Sequence, residues 1–301
     1  MSEPVVSGGV EIIAGTPPGG GQDRTARALA RAIGEGVAVR NVPGRGGGNG
    51  WDELATLDGA SDVVAVSSPT LITNAVLGES TIDDRDLTPI AILYTEYSAL
   101  VAASGTRWKD PETTFDAIAR GSIVVSFATA LGNMNHLVLA EMASALGGSV
   151  SPLTLRLFDS ARDAVADVLG SQSDIAVVSA ASAVPEMKIG ALTAISVSSP
   201  ERLDGAFSAV PTSTELGVPC VRGTWRGLVG PPGLDQQRLA GWDRALSAVT
   251  ASASWRNSLA ESLWVGTFLD SSGTRPFLDS ERVELAALLE AIGLTGSSRD
   301  G

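Results

Sequence analysis

Residues 12–23 read Ile-Ile-Ala-Gly-Thr-Pro-Pro-Gly-Gly-Gly-Gln-Asp, and the chemistry this stretch invites is capture of an anion by main chain. A short β-branched run ends in the turn Pro17-Pro18-Gly19-Gly20-Gly21, and a helical pattern is expected to open at Arg24. Glycines let a guest approach the backbone closely, and the unsatisfied N–H groups of a first helical turn carry partial positive charge. Such a turn holds an anion without a side-chain cation. The same residues also fit a tight strand-to-helix connection that binds nothing. No Gly-Lys-Ser/Thr follows, and residues 19–24 do not fit the dinucleotide fingerprint, so the expected guest is smaller than a nucleotide.

Few other residues offer chemistry. There is one histidine, His136, and one cysteine, Cys220, so no disulfide within the chain and no Cys/His zinc cluster can form. No Gly-x-Ser-x-Gly elbow is present, and no nucleophile and base pair can be assembled around a single His. No catalytic residue, metal or cofactor is therefore expected. His136 reads as a packing or hydrogen-bonding group rather than a ligand of a metal, and Cys220, between Pro219 and Val221, as a buried inert thiol rather than a nucleophile. Asp23 lies in the opening loop, but a carboxylate repels a bound carboxylate, so capping of the helix is the favoured role. Trp51 and Trp225 fit either stacking on an aromatic guest or anchoring a core. Ser67, Ser68, Thr129 and Ser179 fall at strand ends, where hydroxyls read a guest's far end or simply make turns.

Charge narrows the partners. The formal net charge is −13, from 34 acidic and 21 basic residues, which argues against nucleic acid. Long-range steering would also repel an anion, so an anion site must work through short-range, oriented donors. Hydrophobic residues make up 44% and aromatics 5%, so the cores should be built from Ala, Val, Leu and Ile. At 301 residues the chain can bury two cores. No apolar run reaches membrane-spanning length. The first residues, Met1-Ser2-Glu3-Pro4-Val5-Val6, lack the basic-then-apolar pattern of an export signal, so either a trimmed start or an intracellular location is expected.

The elements needed to position the loop follow in order. Ala26, Leu29, Ala30 and Ile33 recur at helical spacing with Arg27 and Arg31 off the stripe, and Gly34 ends the helix. Arg24 opposes the helix dipole, a small penalty that a nearby anion would offset and a solvated position would also tolerate. A strand at residues 37–41 leads into a second glycine-rich turn, residues 43–50, and a short helix around residues 51–57. A third strand, residues 62–67, ends in Ser68-Pro69-Thr70 before another helix. Three strand–turn–helix units imply a largely parallel sheet, with guests gathering beyond the strands' carboxyl ends. Residues 90–102 form an apolar stretch long enough to leave one domain and start another. The pattern then restarts: a helix near residues 113–119, a strand at 122–127, the loop Ala128-Thr129-Ala130-Leu131-Gly132-Asn133 with Asn133 placed as an N-cap, and a helix with Leu139, Met142, Ala143 and Leu146 on one face. Strands at 153–158, 174–179 and 192–198 alternate with helices from 159 to 169 and through Lys188. Residues 201–221 read as loop, 224–229 as a strand returning to the first domain, and the remainder as helices at 235–249, 255–261 and 280–292 with a strand at 264–269 and a frayed tail at 299–301.

In this order the chain resembles the substrate-binding proteins of tripartite tricarboxylate transporters, the Bug family. The resemblance rests on residues 15–23 with Arg27; Asn41-Val42-Pro43-Gly44-Arg45-Gly46-Gly47; Gly132-Asn133-Met134-Asn135-His136-Leu137 with Glu141; Ala166-Asp167-Val168-Leu169-Gly170; residues 190–195; Val210-Pro211-Thr212 with Glu215-Leu216-Gly217; and Thr224-Trp225-Arg226-Gly227-Leu228 before Pro231-Pro232-Gly233. The chain departs from the usual pattern at Asn49-Gly50-Trp51 and at residues 156–160. The resemblance implies an α/β, two-domain, type II periplasmic-binding-protein fold, with residues 1–101 plus 225–301 forming one hinge-linked domain and 102–224 the other. It implies a small organic carboxylate, a di-, tri- or aromatic acid, in the cleft between them. One carboxyl group would be gripped by Pro18, Gly19, Gly20, Gly21 and Asp23 and by Thr129, Ala130, Leu131, Gly132 and Asn133, with Asn135, Asp159, Ser67, Ser68 and Ser179 nearby. It implies a monomer that serves membrane transporter subunits from the periplasm; without an export signal, a cytosolic ligand-responsive regulator stays open, as does an enzyme using the same cleft.

Overall fold

The computed structural model describes residues 9–57, 59, 62–128 and 131–295. The readings placed on residues 1–6 and 299–301, and on Thr129 and Ala130, lie outside the described residues. In chain order the elements are β1 (Val10–Ala14), α1 (Gly21–Ile33), β2 (Val37–Asn41), α2 (Gly48–Ala55), β3 (Val63–Ser67), α3 (Thr70–Val76), β4 (Thr88–Ala103) and α4 (Pro111–Ala119). There follow β5 (Val124–Ala128), α5 (Met134–Ala145), β6 (Thr154–Phe158), α6 (Ala161–Leu169), β7 (Ile175–Ser179), α7 (Ala180–Lys188) and β8 (Leu192–Val197). The last are β9 (Gly223–Gly230), α8 (Gln236–Thr250), α9 (Ala253–Ser262), β10 (Trp264–Leu269) and α10 (Ser271–Ala291). Two compact units result, residues 1–95 with 225–287 and residues 96–224 with 288–301; β4 passes from one into the other.

Unit one is built on the strand order β2-β1-β3-β9-β4, with β10 also paired to β4. β1 runs parallel to β2 and β3, whereas β9 returns antiparallel to β3, with Gly227 opposite Ser67. Successive residues of β1 serve opposite faces: Ile12 packs with Leu29, Val64, Tyr94, Leu228 and Trp255, while Ile13 packs with Trp51, Leu54, Leu71 and Val229. Helices cover both faces, which is why these strands are continuously apolar rather than alternating. The parallel strands β1, β2 and β3 release their turns at the same end, so residues 15–20, 42–47 and 68–69 gather there.

Unit two repeats the device with β5 parallel to β6 and β7, and β4 antiparallel to β7 and β8. Its β6, at the end of the strand order, is half exposed, as an edge strand must be. Helix α5 buries nearly every side chain, from Met134 through Ala143, rather than one stripe.

Several element boundaries differ from the sequence reading; α2, for one, opens at Gly48 rather than near Trp51. Helix α1 opens at Gly21, not Arg24, because Gln22 and Asp23 turn their side chains inward and hold the first turn. The apolar stretch at residues 90–102 is one strand of 16 residues, β4. Helix α10 starts at Ser271, well before residue 280: Asp270 accepts from the Gly273 N–H at 3.0 Å, and Arg275 and Arg282 both grip the buried Asp84 carboxylate. Pro276, the sixth residue of that helix, takes away the N–H that would bond the Ser272 carbonyl, so the first turns rely on these side-chain anchors. Among the described residues no helix is long and apolar enough to cross a membrane.

Candidate functional site

In unit one the candidate site is the junction between β1 and α1. Gly19 takes φ +85°, in the left-handed region open to glycine, and turns the chain toward Gly20, the N-cap. The Gly19 N–H donates to the Asp23 carboxylate at 2.8 Å and the Gly20 N–H to the Pro17 carbonyl at 2.9 Å, so both amides are engaged within the turn. The Asp23 N–H donates to Thr16 Oγ1 at 3.1 Å. That leaves the N–H groups of Gly21 and Gln22, the first two helical residues, without an acceptor among the described residues.

Buried side chains make this turn rigid. Gln22, 1% exposed, accepts from the Gly15 N–H at 2.9 Å and donates to the Gly46 carbonyl at 2.9 Å, tying the first turn to the second. Asp23, 2% exposed, accepts from Gly19, from Arg27 Nε at 2.9 Å and from Asn41 Nδ2 at 2.8 Å. Burial alone would raise its carboxyl, but the bonds from Arg27, Gly19 and Asn41 outweigh that and hold it below the usual carboxylate range. Asp23 is thus not the N-cap; it stands three residues in and reaches back to pin the turn. The second glycine turn fits against the first so closely that a Cβ on Gly15 would lie 2.4 Å from Gly47 Cα. A Cβ on Gly21 would lie 2.6 Å from a guanidinium nitrogen of Arg226, which places a cation beside the start of α1.

In unit two the equivalent junction joins β5 to α5. Asn133 caps the helix, accepting from the His136 N–H at 3.0 Å, and its Nδ2 donates to the Ala128 carbonyl. The Gly132 N–H donates to His136 Nδ1 at 3.0 Å, which requires a neutral imidazole protonated on Nε2. That ring is 3% exposed and lies flat against Phe127, with centroids 5.5 Å apart; burial pushes its pKa below the ordinary histidine value. Again the first two helical N–H groups, of Met134 and Asn135, have no acceptor among the described residues.

The remaining residues singled out in the sequence fall around these junctions. In unit one, Ser67 ends β3 and is buried, and Ser68, also buried, shares a hydrogen bond with Thr70 at 2.6 Å. Pro18 rims the outer side of its turn, in a pocket of about 420 Å³ shared with Arg24, Arg31 and Trp264. In unit two, Ser179 ends β7, directly opposite Ser98 in the sheet, and its hydroxyl meets Ser182 at 2.7 Å. Asp159 follows β6 and is exposed, as is Leu131. Trp51 and Trp225 are fully buried and donate to the Val66 carbonyl at 3.0 Å and to Glu281 at 2.8 Å; both are core anchors, not stacking surfaces. Cys220 is buried, with its thiol pushed up to about 12 by burial. Sequence reasoning missed Gln22, Arg226 and Ser98. The first two stand in quoted motifs, and their signal was a polar or charged residue at a position that glycines and a strand leave no room for.

Residues 23–294 match the family described as "Tripartite tricarboxylate transporter family receptor". Protein BugT of Bordetella pertussis is 26% identical over 298 residues, covering 94% of this chain and 89% of that protein. A TctC solute binding protein from Polaromonas superimposes with TM-score 0.77 at 25% identity, covering 94% of this chain and 98% of the other. An R. palustris protein solved with adipate superimposes with TM-score 0.81 at 17% identity, covering 96% and 98%. With two α/β units of the periplasmic-binding-protein kind and a family match over nearly its whole length, the chain belongs to the tripartite tricarboxylate transporter receptors, the TctC or Bug family.

Proposed function

We propose that this protein captures a small organic carboxylate, a dicarboxylate ahead of a tricarboxylate or an aromatic acid, and presents it to membrane subunits of a tripartite tricarboxylate transporter. The turn before α1 and the turn before α5 would hold the guest jointly, with residues 1–101 plus 225–301 and residues 102–224 acting as hinged partners. The observation that carries this reading is the recurrence, once in each unit, of a glycine-containing turn whose inner amides are engaged and whose first two helical N–H groups are left to take an anion. A charge-assisted hydrogen bond contributes about 1.5–3 kcal/mol, and micromolar affinity needs about 8 kcal/mol, so four such donors are of the right order. Arg226 adds a cation next to the first pair.

The guest favours the closed form only if it touches both turns at once, because only a difference in affinity between open and closed states shifts their populations. A receptor role, not catalysis, fits the single histidine, whose Nδ1 is taken by Gly132, and the single thiol, held protonated by burial. The relative solved with adipate supports a dicarboxylate, and the family supports the periplasm as the working compartment and a small molecule as the guest. A thermal-shift screen across mono-, di-, tri- and aromatic carboxylates tests the reading, since a ligand that binds only the native state raises the melting temperature. Stabilisation by dicarboxylates such as adipate is the expected result; no stabilisation by any carboxylate, or turnover of one, would contradict it.

A further inference from the structure

Beside the unit-two junction a chain of buried serines leads to Asn135, and its direction can be read. Ser98, on β4 and 3% exposed, is clamped by its backbone to Ser198: its N–H donates to Ser198 Oγ at 3.1 Å, and its carbonyl accepts from the Ser198 N–H at 2.9 Å. Ser198 Oγ, fully buried, in turn donates to the Arg222 carbonyl at 2.6 Å, so its hydroxyl proton is committed. Ser98 Oγ meets Asn135 Oδ1 at 2.8 Å, and among the described residues its hydroxyl has no other acceptor. A buried hydroxyl proton left unpaired is costly, so this one must point at Asn135, and the carboxamide must turn its oxygen to Ser98. The other end of the carboxamide, an NH2 group with two donors, then belongs to the second residue of α5, the same first turn that carries the open Met134 and Asn135 N–H groups.

We propose that Ser98 is a positioning residue that fixes the Asn135 carboxamide with its NH2 group toward the guest, so that this position accepts a carboxylate oxygen and discriminates against an amide nitrogen. The proposal rests on the carboxylate reading above and sharpens it. A free carboxamide offers either face by rotating its end; one locked by Ser98 offers donors only. A guest whose end is an ionised acid is met by donors only, the main-chain N–H groups of Met134 and Asn135 and the carboxamide NH2, whereas the corresponding amide brings its own N–H groups against them and leaves them unpaired.

The experiment measures the affinity of the full chain for adipate and for adipate monoamide by calorimetry, in the wild type, Asn135→Asp and Ser98→Ala. The wild type is expected to prefer adipate about tenfold or more, the worth of one charge-assisted bond. In Asn135→Asp, of nearly the same shape, Ser98 still holds one oxygen and the other replaces the donors, so adipate affinity falls and the preference turns toward the monoamide. In Ser98→Ala the carboxamide is released, and the ratio of the two affinities moves toward one while the melting temperature stays near that of the wild type. A merely structural role would weaken both probes equally. If the wild type binds adipate but both variants keep its preference for acid over monoamide, the assignment of Ser98 and Asn135 is overturned and the receptor reading stands. If the wild type binds neither probe and no other carboxylate stabilises it, the receptor reading and this inference fall together.

Discussion

The two turn-to-helix junctions each present two open N–H groups but are held in shape by opposite chemistry. Before α1 the pin is ionised: the Asp23 carboxylate gathers Gly19, Arg27 and Asn41. Before α5 it is neutral: His136 accepts from Gly132 only while its imidazole is uncharged, and Asn133 caps the helix. In both, the third helical N–H is satisfied by a polar side chain of the turn, Thr16 Oγ1 in one and Asn133 Oδ1 in the other, while the first two stay open. A shared backbone geometry therefore does not need shared side chains, and the two junctions should fail under different insults.

The largest expected effect breaks the ionised pin. Asp23→Ala removes the buried carboxylate shared by Gly19, Arg27 and Asn41; those donors are exposed or half-buried and can turn to water, so each lost bond is worth about 0.5–1.5 kcal/mol, and unfolding stability should fall by about 2–4 kcal/mol in urea titrations. A loss below 1 kcal/mol would mean the turn before α1 does not depend on that carboxylate. Next comes Gly20→Val. Its Cβ would lie 2.6 Å from Thr16 Cβ and Oγ1, so the turn itself must move, at about 1–3 kcal/mol, and carboxylate affinity by calorimetry should fall with it. The neutral pin is tested by pH. Burial depresses the folded-state pKa of His136 below its ordinary value of 6.5, so between that value and the folded one the unfolded chain binds the extra proton. The stability this contributes is complete above about pH 6.5 and is lost as pH falls from there through the folded value. Asp23, also depressed, holds its contribution until pH falls below the ordinary carboxylate range. Chemical denaturation from pH 7.5 to 5 should thus show a slope that His136→Gln flattens and Asp23→Asn does not. The smallest effect is at Cys220, whose Sγ rests 3.8 Å from the Val138 carbonyl in the body of α5. With the thiol pushed up to about 12, the native protein should resist alkylation at pH 8 and label only when unfolded.

Much of the scaffold was legible because periodicity and punctuation agree: β1, β2 and β3 end in glycine or proline turns, Gly34 ends α1 as its C-cap, and Asn133 caps α5 as its type suggests. What was not legible is tertiary. The start of α1 lies among glycines with poor helical propensity and is fixed by Gln22 bridging Gly15 and Gly46, a partnership across 24 residues that no local window contains. The start of α10 is obscured by Gly273 and Pro276 and is supplied by Asp84, far away in the chain. At the candidate site, the glycines suggested a place for an anion, but sequence does not say which amides the turn consumes. Gly19 and Gly20 are engaged internally, and the open donors sit one step further along, on Gly21 and Gln22.

Amide NMR tests directly whether open main-chain N–H groups at the two helix starts take the guest's negative charge, as proposed. In a titration of the isotopically labelled protein with adipate, the amide protons of Gly21, Gln22, Met134 and Asn135 should move downfield together with the same midpoint, while those of Gly19 and Gly20, already engaged within the turn, move far less. Saturable adipate binding that leaves those four amides in place would contradict it.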